Sequence, residues 1–208
     1  MAPEPMQVYG DSRSGNSYKV RLLCAQLGMP FEWHEVDVVR GETRAPAFLE
    51  LNPLGKVPVV VLADGRTLTE SNAILYYLAA ESDLAGRDAF ERADILRWMF
   101  FEQHTLEPNL ATVRFIVRFL GDPPERRDQV EAMRARGYKA LDTLEQRLAG
   151  HDFVANDRYS IADISLYAYV HVAAEGGFDL QRFPCVRAWL GRVARQPGHV
   201  RMEKTSSP

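Results

Sequence analysis

A change of periodicity near residue 80 constrains this chain most: strand-like runs occur only before it, and only helical spacing after it. Met6–Tyr9 is a short apolar strand, and Ser12–Ser17 is a polar loop containing a glycine. Tyr18–Leu27 carries Val20, Leu23, Cys24 and Leu27 at helical spacing and stops at Gly28. Phe31–Val39 has enough β-branched and aromatic residues for a second strand, which makes a right-handed β-α-β unit. Arg40–Leu51 is polar with a helical core at best. Val57–Leu62 and Arg66–Leu68 flank Ala63-Asp64-Gly65, an Asp-Gly hairpin signal, and Asn72–Ala80 closes the region as an apolar helix. The order β-α-β-α-β-β-α is a thioredoxin-like plan, an α/β fold.

From Glu81 to Asp88 the chain is polar and strand signals cease. Helical patterns then cover Ala89–Leu120, Glu125–Ala149, Ile161–Ala174 and Val186–Arg195. Asp88 with Glu91, and Ser160 with Asp163, have the spacing of capping boxes, the second with Tyr159 and Ile164 as its hydrophobic staple. Pro108 should kink or split the first long helix. These patterns predict an α/β thioredoxin-like N-terminal domain over residues 1–80, a linker over 81–88 and an all-α C-terminal domain over 89–208. The tail Lys204–Pro208 reads as frayed.

The chain's 208 residues, 46% of them apolar, suffice for a sizeable core, and a net charge of −3 gives no reason to expect nucleic acid or an anionic membrane as partner. The longest apolar run, around Val57–Ala63, is too short to span a bilayer, and the N-terminus lacks the pattern of a secretory signal. Only Cys24 and Cys185 are present, with no CxxC pair and no Cys/His cluster. No metal and a reduced, cytoplasmic setting are therefore expected. Cys24, on the apolar stripe of its helix, reads as a packing residue.

Three stretches carry chemistry. In Asn52–Val61, NPLGKVPVVV, a proline opens a strand. If the Val57–Pro58 bond is cis, the backbone of Val57 turns outward and can pair with an extended peptide; otherwise Pro58 merely starts an edge strand. In LTESNAILYYLA, Glu70 and Ser71 open a helix. Free amides and the Ser71 hydroxyl there suit a carboxylate, and Glu70 suits an ammonium, though an ordinary helix cap has the same residues. In YGDSRSGNSYKVRLL, Ser14 and Ser17 occupy the loop that holds a dithiol in thioredoxin-like proteins. A serine there can donate a hydrogen bond to a thiolate brought by a ligand, and plain loop and cap chemistry for Ser14 and Asn16 is the alternative.

Together with YSIADISLY and FPCVRAWLGRV in the second domain, these motifs resemble the glutathione transferase superfamily over nearly the whole chain. The loop YGDSRSGNSYKV is similar to the serine-type classes. GETRAPAFLELNPLGKVP resembles the phi class, with Thr43 at a histidine position and Arg44 at a lysine position. RSGNSYKVR resembles the zeta class, but Asn16 stands where that motif has cysteine and Glu70 where it has glutamine.

The resemblance implies glutathione as co-substrate, with its thiol near Ser14 and Asn16 as the rival to that role. It places the cysteinyl backbone on Val57, the γ-glutamyl end at Glu70 and Ser71, and the glycyl carboxylate at Arg44 and Lys56. His104 and Pro108, one helical turn apart, would face a small electrophile. A homodimer is implied, as is conjugation of the thiolate to electrophiles in detoxification. A glutathione-dependent disulfide or peroxide reductase, and a non-enzymatic interaction protein, are the alternatives.

Overall fold

The computed structural model describes residues 5–202. The terminal segment Lys204–Pro208, expected to fray, lies outside the described residues. The chain divides into two compact units, Glu81–Gln196 and the chain on either side of it.

In the first unit, β1 (Met6–Gly10) leads into α1 (Gly15–Leu27), β2 (Phe31–Glu35), α2 (Pro46–Leu51), β3 (Val59–Val61), β4 (Thr67–Thr69) and α3 (Ser71–Leu78). The four strands form one mixed sheet in the order β2-β1-β3-β4. β1 runs parallel to β2 and antiparallel to β3, with Val8 opposite Trp33 and Val60. The antiparallel β3–β4 pair closes through the expected Asp-Gly turn. Strand alternation divides the core into two layers. On one face Met6, Val8 and Val60 pack with Val20 and Cys24 of α1 and Ile74 of α3. On the other, Val59 packs with Val36, Phe48 of α2 and the half-buried Tyr9. β2 ends at Glu35 rather than Val39, because the Asp37 and Glu42 side chains draw the backbone that follows into turns.

The second unit is helical: α4 (Ala89–Phe101), α5 (Glu107–Arg114), α6 (Arg127–Leu148), α7 (Ile161–Val170) and α8 (Pro184–Ala194). Every residue of α7 is buried, as its all-round apolar sequence requires. The Ser160–Asp163 capping box is present. The box expected at Asp88 is half made. Asp88 accepts the Glu91 amide at 2.9 Å, but the Glu91 carboxylate turns to the amide and guanidinium of Arg87. The long helix is interrupted near Pro108, as expected, where α4 gives way to α5. A π-helical segment, Glu102–Leu106, precedes it and absorbs the missing amide and the ring's clash with the preceding turn.

From Pro197 the chain rejoins the first unit, so the last described residues do not belong with the helical domain in which the sequence reading placed them. The Tyr18 hydroxyl donates to the Val200 carbonyl at 2.8 Å and lies 3.3 Å from His199 Nε2. Gly198 has φ +70° and lies so close to α1 that a Cβ would come within 2.9 Å of the Ala25 carbonyl oxygen. Only glycine meets both demands.

Candidate functional site

The site is built where β1 ends and α1 begins. Asp11 is almost fully buried and anchors the intervening loop. Its carboxylate accepts the Arg13 amide, the Arg13 guanidinium at two points and the Val38 amide. Arg13 also reaches Asp37 at 2.6 Å. The hydrogen bond to Asp11, more than any other interaction, pushes the Arg13 pKa up, and the Arg40 amide followed by Arg13 holds Asp37 below the usual carboxylate range. Ser14 follows as the N-cap of α1, its Oγ accepting the Ser17 amide at 3.3 Å. That bond uses a lone pair, so the hydroxyl proton is left to donate at the positive end of the helix.

The second wall is the start of α3. Glu70 is its N-cap, exposed, with φ 66° and ψ 110° and no side-chain bond to the first turn. A glutamate in that backbone region is strained, by about 1–3 kcal/mol, and such strain gathers at functional sites. Ser71 is 5% exposed, and its Oγ donates to Asn16 Oδ1 at 3.1 Å while accepting from Lys19 Nζ at 3.3 Å. Lys19 has no exposed surface and also donates to Asn72 Oδ1. The Ser71 hydroxyl, expected to greet a carboxylate, donates to Asn16 here and lies at the amide-bearing start of α3.

The third wall is the turn before β3. The Val57–Pro58 bond is cis, and among the described residues neither backbone group of Val57 forms a hydrogen bond. Asn52 holds the turn from inside through the Lys56 carbonyl and the Leu54 amide. Gly55, at φ +61°, lets the Arg44 guanidinium lie against the backbone, where a Cβ would be 2.6 Å from it. Arg44 and Lys56 are exposed, and Thr43 is buried.

Of the residues singled out from sequence, Asn16 and Ser71 meet directly, 55 positions apart. His104 and Pro108 belong to the helical unit: His104 is exposed on the π segment and Pro108 half-buried at the head of α5. Cys24 is buried and its thiol pushed up to about 12 by desolvation, which makes it a packing residue. Cys185 is half-buried, its thiol raised by the neighbouring Glu145. Among the described residues no group of three or more His, Cys, Asp or Glu side chains is placed to hold a metal. Lys19 and the Asp11–Arg13–Asp37 network were not anticipated. The Asp-x-Arg pair before a helix was the available signal for the network; Lys19 had none.

Two family models match: glutathione S-transferase, N-terminal domain, over residues 13–81, and glutathione S-transferase, C-terminal domain, over residues 127–192. Among curated proteins, the chain is 31% identical over 203 residues to glutathione S-transferase 3 of Zea mays, covering 93% of this chain and 90% of that one. It is 29% identical over 189 residues to disulfide-bond oxidoreductase YfcG of Escherichia coli, covering 88% and 87%. Among solved structures, a glutathione S-transferase from Pseudomonas fluorescens superposes with a TM-score of 0.94 at 49% identity, covering 97% of this chain and all of that one.

Proposed function

From the premise that this chain belongs to the glutathione S-transferase superfamily, we propose that it binds glutathione in its first unit and transfers the thiolate to small electrophiles. The observation that carries this reading is the geometry of Ser14. Its oxygen caps α1 by accepting the Ser17 amide, which leaves the hydroxyl proton available to donate to an anion at the helix start. A free thiol has a pKa near ~8.5 and is mostly protonated at neutral pH. Lowering it by about two units requires ~2.7 kcal/mol. One hydrogen bond to an ionised group supplies roughly 1.5–3 kcal/mol, and the helix end adds some tenths more. Ser14 therefore suffices without a general base, and Asn16 is the second donor.

The remaining roles follow the walls of the site. The exposed peptide edge at Val57 pairs with the cysteinyl backbone, and Glu70 meets the γ-glutamyl ammonium. The amide of Ser71 meets the γ-glutamyl carboxylate, and Arg44 with Lys56 the glycyl carboxylate. The helical unit offers His104 and Pro108 to the second substrate. The working form in this reading is a cytoplasmic homodimer serving detoxification, with no metal, nucleic acid or membrane involved.

The test is to titrate thiolate absorbance of bound glutathione against pH, alongside turnover with an aryl halide. Absence of glutathione binding at millimolar concentration defeats the reading. The resemblance to the disulfide-bond oxidoreductase favours one second reading, a glutathione-dependent disulfide reductase. Turnover of a glutathione-mixed disulfide exceeding that of every electrophile would select it.

A further inference from the structure

The backbone amides from Asp11 to Ser14 each have an acceptor within the protein. Asp11 donates to Ser17 Oγ at 3.3 Å, and Ser12 to Glu35 Oε1 at 2.9 Å. The Arg13 amide donates to Asp11 Oδ1 and the Ser14 amide to the Asp11 carbonyl, each at 2.9 Å. Further on, Ser14 takes up the amides of Ser17 and Tyr18, through its Oγ and its carbonyl. Gly15 lies between these sets. It is buried, and among the described residues nothing accepts its amide. At an open helix start water satisfies such a donor, whereas a buried one needs a fixed acceptor. Left without one, it costs about as much as a lost hydrogen bond.

We infer that the Gly15 amide is a thiolate donor: it and the Ser14 hydroxyl meet the glutathione sulfur together at the head of α1. Helical N–H groups point back toward the N-terminus, the end that Ser14 caps, so the two donors open on one place. The inference rests on the glutathione-binding reading above and deepens it. It assigns part of the thiolate's stabilisation to an atom that belongs to no side chain. An amide fixed by its helix also needs no reorganisation as charge develops on sulfur.

Proline at this position deletes the N–H without asking the backbone to move. Gly15 is the first residue of α1, a place proline favours. Ser14 already has φ −80° and ψ 126°, the extended backbone that a residue before proline requires. Gly15→Ala keeps the N–H and is the reference for added bulk. The pKa of bound glutathione, read from thiolate absorbance, should lie about one unit higher in Gly15→Pro than in Gly15→Ala. That is roughly tenfold less thiolate at neutral pH. Equal values in the two variants overturn the inference. A measurement on the unaltered protein covers variants that fail to fold. In the NMR spectrum of protein carrying isotope-labelled glycine, the Gly15 amide proton should move downfield as the bound thiol ionises, with the same midpoint. With S-methylglutathione, which has no thiol to ionise, it should hold its place across the same pH range. An amide proton that ignores the thiol titration, or that titrates equally with S-methylglutathione, removes Gly15 from the role. Failure of wild type to bind glutathione refutes the functional reading itself.

Discussion

Arg13 grips Asp11 at two points, Nε on Oδ1 at 2.9 Å and a terminal nitrogen on Oδ2 at 2.7 Å. The same guanidinium reaches Asp37, so the loop that ends in Ser14 is tied to the segment following β2. The planar fork cannot be copied by an ammonium. Arg13→Lys should therefore lower kcat/KM for glutathione conjugation about tenfold. Arg13→Ala should in addition destabilise the protein by about 1–3 kcal/mol, less than for a fully buried pair because Arg13 is partly solvated. Chemical denaturation and steady-state kinetics read the two effects. Full activity in Arg13→Lys would show that the fork does not position the loop.

Ser14→Ala should raise the pKa of bound glutathione toward its free value while leaving affinity nearly intact. The backbone caps of α1 persist, but the proposed donor to sulfur is gone, and loss of the N-cap costs about 1 kcal/mol of stability. Thiolate absorbance against pH is the direct measurement. If Ser14→Ala leaves the titration unmoved while Asn16→Ala shifts it, the main donor is Asn16.

Glu70 sits at φ 66°, where glycine is comfortable and glutamate is not. Glu70→Gly should thus leave stability equal or higher, by up to about 1 kcal/mol once glycine's own entropic cost is counted. The same change removes the acceptor proposed for the γ-glutamyl ammonium and should weaken glutathione binding tenfold or more. Glu70→Ala keeps the strain and loses the acceptor, so it should weaken binding without stabilising. A thermal melt and a calorimetric titration on both variants separate strain from binding. Undiminished affinity in both would remove Glu70 from the site.

How far the sequence disclosed this arrangement depended on how far apart its partners are. Ser160 and Asp163 are three positions apart, and their box was legible because the chain itself sets their distance. The cis candidate at Pro58 was legible because only proline makes that bond common. Glu91 had the right spacing for its box, yet Arg87 competes for it with a full charge, which a neutral amide cannot match. Lys19 was invisible for a stronger reason. A lysine in a helix reads as solvated surface, and the partners that draw it inside lie more than fifty positions away. The thioredoxin-like plan emerged from local periodicity, whereas the strap from Pro197 came only from packing across the chain's length.

Asp163 accepts from the Val154 and Ser160 amides, the Ser160 hydroxyl and the Trp189 indole. Burial nonetheless pushes its carboxyl up to about 6, because desolvation outweighs these donors. The folded chain then holds this proton more tightly than the unfolded chain does. Its contribution to stability is full below about pH 4 and is lost as pH rises through 6, by about 3 kcal/mol in all. Asp163→Asn cannot titrate and places an NH₂ against donors, costing about 1–3 kcal/mol for the bond it orphans. The stability gap between wild type and Asp163→Asn should therefore narrow from pH 4 to pH 7. A gap independent of pH would mean the carboxyl is ionised throughout that range.

With desolvation holding its thiol protonated, Cys24 should resist alkylation at pH 7.5 in the folded protein. Mass spectrometry after brief treatment with iodoacetamide should find the label on Cys185 alone. Rapid double labelling without denaturant would contradict the packing around α1.

The strap at Tyr18, Gly198 and Val200 also sets a timetable. Translation at roughly 5–20 residues per second finishes the strands and α1–α3 well before it reaches Pro197. For on the order of ten seconds the nascent first unit carries the Tyr18 hydroxyl and the end of α1 without the segment that will cover them. The part of the protein made first is completed last, and a ribosome stalled inside the helical unit would leave it open to chaperones and proteases at that one place.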